Sequence, residues 1–435
     1  RIHIVQFFNS VGIKSAWSDE RLQWYLQCIQ YKNSFDYVWH HWQYAIVCHH
    51  YGLLVGAVFN RLRVFLGSLK LKFIWNGHTR GLVLWMLHRF YPVKHGRVMF
   101  VSWNGAQYNC NPRAIAEAIA HNSKVQKSFE LNYAFVEPDK FPEVPDQIHK
   151  IQIGSLEYYY LLATSQFIVS NIRFAGINFP YKKRNQIYIQ TMHGGHGLKR
   201  VEMDADLPEA YQKSLLEDAK RTDLMISDSR FWTELAHGAF RFPGEVLEEG
   251  LPRNDIFFAS DSVKKGIRLK VLNYVGLPKD NLDARFLVYT PTFRSNGRRD
   301  VYGFDVPLVT QALEQRFGGE WYVLVSSHPN MRSYYKEIYD FSNPKLRDVG
   351  MYPDLQDILI AGDVCITDYS SAGMEFCLTG KPVFLLAKDL ADYDRGFYFD
   401  MHSLPWPLAE TDDELVRNIL SFDEKKYLTN DIFML

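Results

Sequence analysis

From residue 97 onward, short apolar runs rich in β-branched and aromatic residues alternate with longer stretches of helical spacing. This alternation is typical of parallel βαβ units. The first run, 97–103, predicts a strand, and Asn111-Pro112 predicts the N-cap and first turn of a helix that continues to Ala120. Further strands are predicted at 131–136, 167–170, 186–191, 224–227 and 245–249. Together these elements predict one Rossmann-like domain.

A second alternation of the same kind begins near Arg285. It predicts strands at 285–290, 321–326, 363–367 and 382–386, with helices at 352–361 and 373–378. The polar stretch 259–283 contains Gly276-Leu277-Pro278 and predicts the crossover between the two halves. The chain is therefore predicted to be α/β, with Rossmann-like domains at 96–270 and 271–435 that face a cleft. Ligands bind such sheets beyond the carboxyl ends of the strands, which suits a nucleotide-activated donor.

The first 95 residues lack this alternation and are rich in Trp, Tyr, His and Leu, with helical spacing at 19–31 and 81–90. We therefore predict a mainly helical region there. The stretch 37–60 has no Asp, Glu, Lys or Arg, but its four histidines and Gln43 argue against a transmembrane helix. The sequence starts with Arg1 rather than Met, so we expect a piece of a longer protein, and region 1–95 as a linker from an upstream domain is one alternative.

Composition places the chain among globular proteins of two or three domains, with 435 residues, 47% hydrophobic and 23% charged. The 49 Lys and Arg equal the 49 Asp and Glu, which argues against a nucleic-acid-binding protein with a basic surface. The charges are unevenly distributed, because residues 37–116 contain nine Lys and Arg and no Asp or Glu. The five cysteines show no zinc or disulfide spacing, which indicates a reducing cytosol.

The densest cluster of candidate chemistry is the segment 190–200, which follows a predicted strand and contains three glycines. Glycine lets the backbone approach a ligand closely, and histidine titrates near neutral pH as a general base must. His193 and His196 are therefore candidate bases. The alternative is a flexible loop in which the histidines are incidental.

Two further clusters end predicted strands of the second half. His328 is followed by Pro329 at the end of one strand, where a histidine is usually structural. In the segment 365–375, the hydroxyl-bearing residues Ser370 and Ser371 open a helix, which predicts a phosphate cradle. Glu375 falls about one turn later, where its carboxylate can accept hydrogen bonds from a ribose. The alternative for this segment is an ordinary helix N-cap.

In their order along the chain, these clusters and their neighbours resemble the CDP-glycerol glycerophosphotransferase family, which makes teichoic-acid type polymers and related capsules. The resemblance covers about residues 96–435. The motifs that carry it are Ser102-Trp103-Asn104-Gly105 with Asn111-Pro112, 154–160 with Ser170-Asn171, 190–199, 250–255, 289–294, His328-Pro329, 367–371 and 395–400.

The resemblance implies a GT-B fold in which the domain 96–270 binds the acceptor and the domain 271–435 binds the CDP donor. It also implies transfer of glycerol phosphate from CDP-glycerol to a hydroxyl of a growing chain, with release of CMP. By motif, His193 matches the proposed general base and His328 the histidine that faces the donor pyrophosphate. Glu375 takes the place of the acidic residue at the cytidine ribose. Contacts with the donor phosphates are implied at Arg294, Thr367, Asp368, Ser370 and Ser371. Further candidates are His196, Lys199, Arg253 and Asp255.

One departure from the family pattern falls in the segment 190–200, which we call the histidine loop. The family sequence is close to QTWHGTPLK, whereas here Met192 replaces Trp and Gly195-His196-Gly197 stands where Thr-Pro is usual. His196 therefore competes with His193 for the role of the base. Asp204-Ala205-Asp206 has the form of a DxD metal motif but lies past the loop, so we expect no metal and no cofactor, only the CDP-activated donor.

The acceptors implied by the resemblance are lipid-linked or oligosaccharide polymers. The acid-free region, with its Trp, Tyr and Phe beside Lys and Arg, suits an anionic membrane surface or a polyanionic product, and packing against the acidic remainder of the chain is the alternative. We expect a cytoplasmic protein that is peripheral on the inner face of the bacterial membrane, with no nucleic-acid partner. Three alternatives to glycerol phosphate transfer stay open: a CDP-ribitol donor, sugar transfer from another nucleotide, and a non-catalytic polymer-binding subunit.

Overall fold

A computed structural model describes residues 77–174, 182–194, 197–205, 207–278, 281, 283–294, 297–326, 331 and 335–428. The predicted helical stretch 19–31 and the apolar stretch 37–60 lie outside these ranges. The stretch 81–90 lies within helix α1 (Gly77–Phe90), as predicted. Among the described residues, no helix is both long enough and apolar enough to cross a bilayer.

The first sheet has seven strands in the order β3-β2-β1-β4-β5-β6-β7. Its strands are β1 (Lys94–Val101), β2 (Glu130–Phe135), β3 (Ile148–Gln152), β4 (Ser165–Ser170), β5 (Ile187–Gln190), β6 (Leu224–Ser227) and β7 (Glu245–Glu248). β1 pairs in parallel with both β2 and β4, and residues 98–101 in its carboxyl-terminal half are fully buried. Such continuous apolar strands are expected where helices cover both faces of a parallel sheet.

The second sheet has six strands in the order β10-β9-β8-β11-β12-β13. Its strands are β8 (Ala284–Thr290), β9 (Glu320–Val325), β10 (Leu346–Asp348), β11 (Val364–Thr367), β12 (Val383–Leu386) and β13 (Leu408–Ala409). All five neighbouring pairs are parallel. The predicted α/β class with two Rossmann-like sheets is therefore confirmed.

Helices connect the strands of both sheets. After α1 they are α2 (Cys110–Ala120), α3 (Ser123–Gln126), α4 (Leu156–Thr164), α5 (Glu209–Arg221), α6 (Arg230–His237), α7 (Asp261–Tyr274), α8 (Val306–Phe317), α9 (Tyr335–Ile338), α10 (Leu355–Ala361), α11 (Ala372–Phe376), α12 (Asp412–Leu420) and α13 (Glu424–Leu428). The polar stretch predicted as a crossover contains the whole of α7, whose apolar positions Ile267, Val271 and Leu272 are buried.

One local prediction is wrong. Asn111 was expected to cap α2, but the helix already begins at Cys110, and the Asn111 side chain reaches the backbone after β5 instead. A contact with a distant part of the chain here takes the place of the local capping bond. Either arrangement would give backbone polar groups the hydrogen-bond partner that they need.

The described chain divides into two compact units that differ from the two sheets. Unit 1 contains the described residues up to Tyr108, from Pro112 to Gln190 and from Arg221 to Leu224. Unit 2 contains Asn109–Asn111, Thr191–Lys220 and the described residues from Met225 onward. The histidine loop, Arg253 and the segment around Ser371 therefore all belong to unit 2.

Candidate active site

The chain turns sharply where β5 runs into the histidine loop. Met192 has a left-handed backbone with φ of 53°, which is unfavourable for a residue with a side chain and is typical of functional loops. Its side chain is buried in an apolar cluster with Trp232, Phe240 and Phe242. His193 follows directly and is exposed. Met192, which departs from the Trp of the family pattern, thus serves as an apolar anchor that presents His193 to solvent.

Asn111 fixes the backbone on which His193 stands. Its buried amide nitrogen donates to the carbonyl oxygens of Thr191 and Met192 at 3.1 and 3.2 Å. Its amide oxygen accepts a hydrogen bond of 3.1 Å from the backbone N–H of Arg253. Sequence reasoning assigned Asn111 a capping role and missed this one, because the partners lie about 80 and 142 positions away along the chain.

Arg253 links the histidine loop to α11. Its Nη1 donates to the carbonyl oxygen of His193 at 2.8 Å and to Sγ of Cys110 at 3.3 Å. Its Nη2 forms a buried ion pair with Oε1 of Glu375. The second carboxylate oxygen of Glu375 accepts a hydrogen bond of 2.6 Å from Gln356.

Glu375 is 3% exposed, and burial raises the pKa of its carboxyl, although Arg253 opposes the shift. Both of its oxygens have protein partners. The contact with a cytidine ribose that the sequence predicts for this residue stays a prediction. The structure gives Glu375 the further task of neutralising the buried guanidinium of Arg253.

Arg294 is the centre of a second buried network. Its Nε and Nη2 donate to the two oxygens of Asp389 at 2.7 and 2.8 Å, and its Nη1 donates to Asp368 at 2.9 Å. Its guanidinium also lies over the rings of Tyr369 and Tyr393 at 4.8 and 5.1 Å. Burial alone would raise the pKa of Asp389, but the hydrogen bonds from Arg294 outweigh it and lower the pKa. A guanidinium held this way is a rigid structural cation.

The same network positions the strand ends around the predicted phosphate segment. Both oxygens of Asp368 accept from the backbone N–H of Thr292, at 2.9 and 3.0 Å. The hydroxyl of Thr367 donates to the carbonyl oxygen of Thr290 at 2.7 Å and is fully buried. Direct contacts of Arg294, Asp368 and Thr367 with a donor phosphate therefore stay predictions, while their contacts within the protein are structural.

Ser370 and Ser371, which we call the serine segment, are both half-exposed. The helix they precede, α11, is only five residues long, so its dipole is weak and the hydroxyl and backbone N–H groups are the relevant donors. A Cβ atom on Gly194 would lie 3.2 Å from Oγ of Ser371, which is tighter than normal contact. The absence of a side chain at Gly194 thus lets the backbone beside His193 approach Ser371 closely.

Lys199 adds a cation to the same part of unit 2. Its backbone forms an antiparallel bridge with Phe397, which holds the end of the histidine loop in place. Burial lowers the pKa of its ammonium to about 8, Asp368 opposes the shift, and the cations Arg395 and Arg294 reinforce it. By solvent exposure Lys199 is half-buried, and an ammonium with two cationic neighbours is a favourable place for an anion such as a phosphate.

The remaining candidates are His196, His328, Asp255 and the DxD sequence. His196 and His328 lie outside the described residues. Asp255 is exposed in the 3₁₀ turn Pro252–Phe258 that carries Arg253. Asp204 of the DxD sequence accepts a hydrogen bond of 2.8 Å from the hydroxyl of Tyr398. Within the described part of the chain, no three His, Cys, Asp or Glu side chains are grouped as metal ligands would be.

Comparison with known proteins gives a family match over most of the chain. Residues 83–433 match the family model described as CDP-glycerol:poly(glycerophosphate) glycerophosphotransferase. The match starts within α1 and includes both sheets.

Relatives of known name agree with this match. The chain is 28% identical over 340 residues to the teichoic acid poly(glycerol phosphate) polymerase of Bacillus spizizenii, which covers 74% of this chain and 82% of the relative. It is 30% identical over 364 residues to the polymerase of the same name from Bacillus subtilis, covering 79% of this chain but only 46% of the relative. The chain thus spans about half the length of this second relative.

A solved structure is similar over a comparable range. The wall teichoic acid polymerase TagF, in a variant soaked with CDPG, superposes with a TM-score of 0.70 at 26% identity, covering 86% of this chain and 92% of that chain.

Proposed function

Because the chain belongs to the CDP-glycerol:poly(glycerophosphate) glycerophosphotransferase family, we propose that it transfers glycerol phosphate from CDP-glycerol to a hydroxyl of a growing teichoic-acid or capsule type polymer and releases CMP. The observation that best supports this activity is the approach of Gly194, next to His193, to Ser371. A candidate base and candidate phosphate-binding hydroxyls thereby belong to one compact unit.

The reaction is an exchange of one phosphorus–oxygen bond for another. The acceptor hydroxyl oxygen attacks the β-phosphorus of CDP-glycerol, and the bond between that phosphorus and the bridging oxygen breaks. The hydroxyl proton passes to the imidazole of His193, and the electron pair of the broken bond leaves on CMP. Charge develops on the leaving phosphate, where fixed donors stabilise the transition state most effectively.

We assign the fixed donors to residues that are near each other in unit 2. Ser370 and Ser371 offer hydroxyl and backbone N–H groups, and Lys199 offers a positive charge. Arg294 holds Asp368, which in turn orders the strand end at Thr292, so this pair shapes the site in addition to the donor contacts that its motifs imply. His328 keeps the role at the donor pyrophosphate that its motif implies.

The direct test is CMP release from CDP-glycerol with a short glycerol-phosphate oligomer as acceptor. His193→Ala is expected to lower kcat by about 10²–10⁴-fold, the usual contribution of a positioned general base. His402→Ala, which removes an exposed histidine outside the networks described above, is the matched control and should leave the rate unchanged. Retained activity in His193→Ala would transfer the role of the base to His196.

The same assay separates the alternative donors. CDP-ribitol offered in parallel should react more slowly than CDP-glycerol, and a faster reaction would make the protein a ribitol-phosphate transferase. Mass spectrometry of the product distinguishes a new phosphodiester from a glycosidic bond, and thus excludes or supports sugar transfer. No turnover of any CDP-polyol by the wild-type protein would favour the polymer-binding subunit.

We further propose that α1 contacts an anionic membrane surface that carries a lipid-linked acceptor. One face of α1 is buried in the core of unit 1 through Leu84 and Leu87. On its outer side, Leu82 and Trp85 are 58% and 47% exposed, and Arg89 lies 5.8 Å over the ring of Phe90. Exposed apolar and aromatic groups beside a cation are the composition of an interfacial helix.

A further inference from the structure

The order of strands in the first sheet creates a crevice between β1 and β4. From β1 the chain adds β2 and then β3 on one side, and it adds β4 and β5 on the other side. The connections that leave the carboxyl ends of β1 and β4 therefore run to opposite sides, and these two strand ends flank a topological switch point. Ligands of doubly wound sheets bind at such points. β1 and β4 belong to unit 1, whereas the described donor candidates belong to unit 2.

The loop after β1 has an unusual backbone at this switch point. Trp103, Asn104 and Gly105 follow one another with φ of 49°, 55° and 80°, so three consecutive residues are left-handed. Left-handed residues with side chains are disfavoured, and they persist where the surrounding structure imposes them, often at ligand sites. We call the segment Trp103–Gly105 the switch-point turn.

Neighbouring strand ends hold the switch-point turn on two sides. The backbone N–H of Trp103 donates a hydrogen bond of 2.9 Å to the side-chain oxygen of Asn171, directly after β4. The carbonyl oxygen of Gly105 accepts a bond of 2.9 Å from the backbone N–H of Val136, directly after β2. Gly105 has a left-handed φ, and a Cβ atom there would lie 3.1 Å from the backbone nitrogen of Val136 and overlap the end of the Ile153 side chain, so this position favours glycine. The turn is thus a fixed platform across the crevice.

The chemistry of the switch-point turn is neutral and amphipathic. Trp103 is half-buried, Asn104 is exposed, and no residue from Ser102 to Tyr108 carries a charge. Beneath the turn, the hydroxyls of Ser102 and Tyr133 form a buried hydrogen bond of 2.6 Å. An indole ring packs well on the C–H face of a polyol or sugar, and amides bind its hydroxyl groups. An anionic nucleotide phosphate finds no cation in this segment.

We propose that the switch-point turn binds the neutral hydroxylated part of the acceptor, a glycerol or sugar unit of the polymer end. This inference rests on the proposed function, in which a polymer is the acceptor. Trp103 provides the ring on which the unit packs, and Asn104 provides hydrogen bonds to its hydroxyl groups. Asn171 is a positioning residue, because it acts through the backbone of Trp103.

The variant Asn104→Gly separates binding from folding, because the protein should become no less stable while it binds the acceptor more weakly. Glycine suits a left-handed position better than asparagine, so the variant should be at least as stable as the wild-type protein. If the Asn104 amide binds the acceptor, the KM for a glycerol-phosphate oligomer should nevertheless rise about fivefold, as for the loss of one hydrogen bond. A purely structural asparagine would leave that KM unchanged.

The variants Trp103→Ala and Trp103→Phe test whether the acceptor packs on the aromatic ring of Trp103. The alanine variant should raise the acceptor KM about tenfold or more, and phenylalanine should restore most of the affinity, because an aromatic face remains. The KM for CDP-glycerol should stay within about twofold in all three variants. Tyr211→Ala, which removes an exposed aromatic ring on α5, is the matched control for loss of aromatic area.

Calorimetric titration of the oligomer into donor-free protein keeps this test independent of turnover. Weaker oligomer binding by the Trp103 and Asn104 variants, with wild-type thermal midpoints, supports the site even if no CDP-polyol reacts. Failure of the wild-type protein to release CMP would overturn the proposed function alone. If Trp103→Ala does not fold, Asn104→Gly decides. Unchanged oligomer affinity and KM in Asn104→Gly, or an equal rise of donor and acceptor KM, would overturn the acceptor site.

Discussion

Nη1 of Arg253 lies 2.8 Å from the carbonyl oxygen of His193, and Nη2 of the same guanidinium is paired with Glu375. One planar cation thus connects the backbone of the candidate base to the helix that follows the serine segment. Bidentate geometry of this kind is specific to arginine, whose donors form a rigid fork.

Removal of this cation should affect both stability and rate. Arg253→Ala leaves the buried carboxylate of Glu375 without its charge partner, which costs roughly 3–5 kcal/mol of unfolding free energy. Arg253→Lys should fold better but lower kcat, because a single ammonium cannot hold both His193 and Glu375. Denaturant unfolding and CMP release measure the two effects.

The companion variant Glu375→Gln tests whether loss of the ion pair between Arg253 and Glu375 causes the loss of stability in Arg253→Ala. It removes the buried negative charge, so adding it to Arg253→Ala should restore part of the lost stability. Independent, additive effects of the two substitutions would contradict the coupling described here.

The strands of both sheets could be predicted from the sequence because burial on both faces requires continuous apolar runs. Nearly every predicted strand lies within about two residues of an observed one. The sequence pattern does not predict β3, β10 and β13, because these strands are either very short or interrupted by polar residues. β10 and β13 have three and two residues, too few to show a period, and His149 and Lys150 interrupt β3 with polar side chains.

The networks of the site could not be predicted, because charge partners are distant in sequence. Arg253 and Glu375 are 122 positions apart, and Arg294 lies 74 and 95 positions from Asp368 and Asp389. The motif of Arg294 implies a phosphate contact, and it gives no sign of the two carboxylate partners. Only the fold shows that the guanidinium of Arg294 is already neutralised.

Lys199 should give donor binding a characteristic pH dependence. Its pKa is lowered to about 8, so the ammonium charge is lost as the pH rises through that value. If this charge binds the donor phosphate, the KM for CDP-glycerol should rise above pH 8 by up to about tenfold per pH unit. The unfolding free energy should also rise between pH 8 and the ordinary lysine value of 10.5, because over this range the unfolded chain binds the proton that folded Lys199 has already lost.

The control for this dependence is Lys199→Arg, which keeps a positive charge at all accessible pH values. Its donor KM should stay flat between pH 7 and 9. The charged groups around the ammonium are Asp368, Arg395 and Arg294. The same rise of KM in wild type and Lys199→Arg would assign it to another group.

Asp389 should be a stability residue rather than a binding residue. Its carboxylate and the guanidinium of Arg294 are each 2% exposed, and Asp389→Asn leaves that cation with Asp368 alone. The expected loss is about 3–5 kcal/mol of unfolding free energy. Asp392→Asn, which removes a mostly exposed carboxylate 3.6 Å from Arg298, is the matched control and should change stability by less than about 0.5 kcal/mol.

Acid sensitivity provides the second readout for Asp389. Its pKa is lowered in the folded state, so its contribution is complete above the ordinary value of 3.8 and is lost as the pH falls through the folded value. Wild type should therefore lose more stability than Asp389→Asn when the pH decreases below about 4. Parallel acid curves for the two proteins would show that the pair is not a source of stability.

The outer face of α1 should control vesicle binding. Leu82→Ser and Trp85→Ser remove its two most exposed apolar side chains, and the double variant should float much less with vesicles that contain anionic phosphatidylglycerol. Leu216→Ser, which removes an exposed leucine on α5, is the control. Flotation should also weaken with salt, because Arg89 contributes by charge. Equal flotation of the control and the double variant would exclude this face of α1 as the membrane contact.

Gly194 should limit the distance between the histidine loop and the serine segment. A Cβ atom at this position would lie 3.2 Å from Oγ of Ser371, so Gly194→Ala forces the two segments apart by a few tenths of an ångström. Because catalysis depends on the distance between base and phosphate, kcat should fall by roughly tenfold or more while the unfolding free energy changes little. Ser371→Gly removes the opposing atom, so the double variant should recover from the steric effect of Gly194→Ala and retain only the loss due to the missing hydroxyl. A double-mutant cycle on kcat measures this coupling, and a coupling free energy near zero would mean that the two segments do not meet during the reaction.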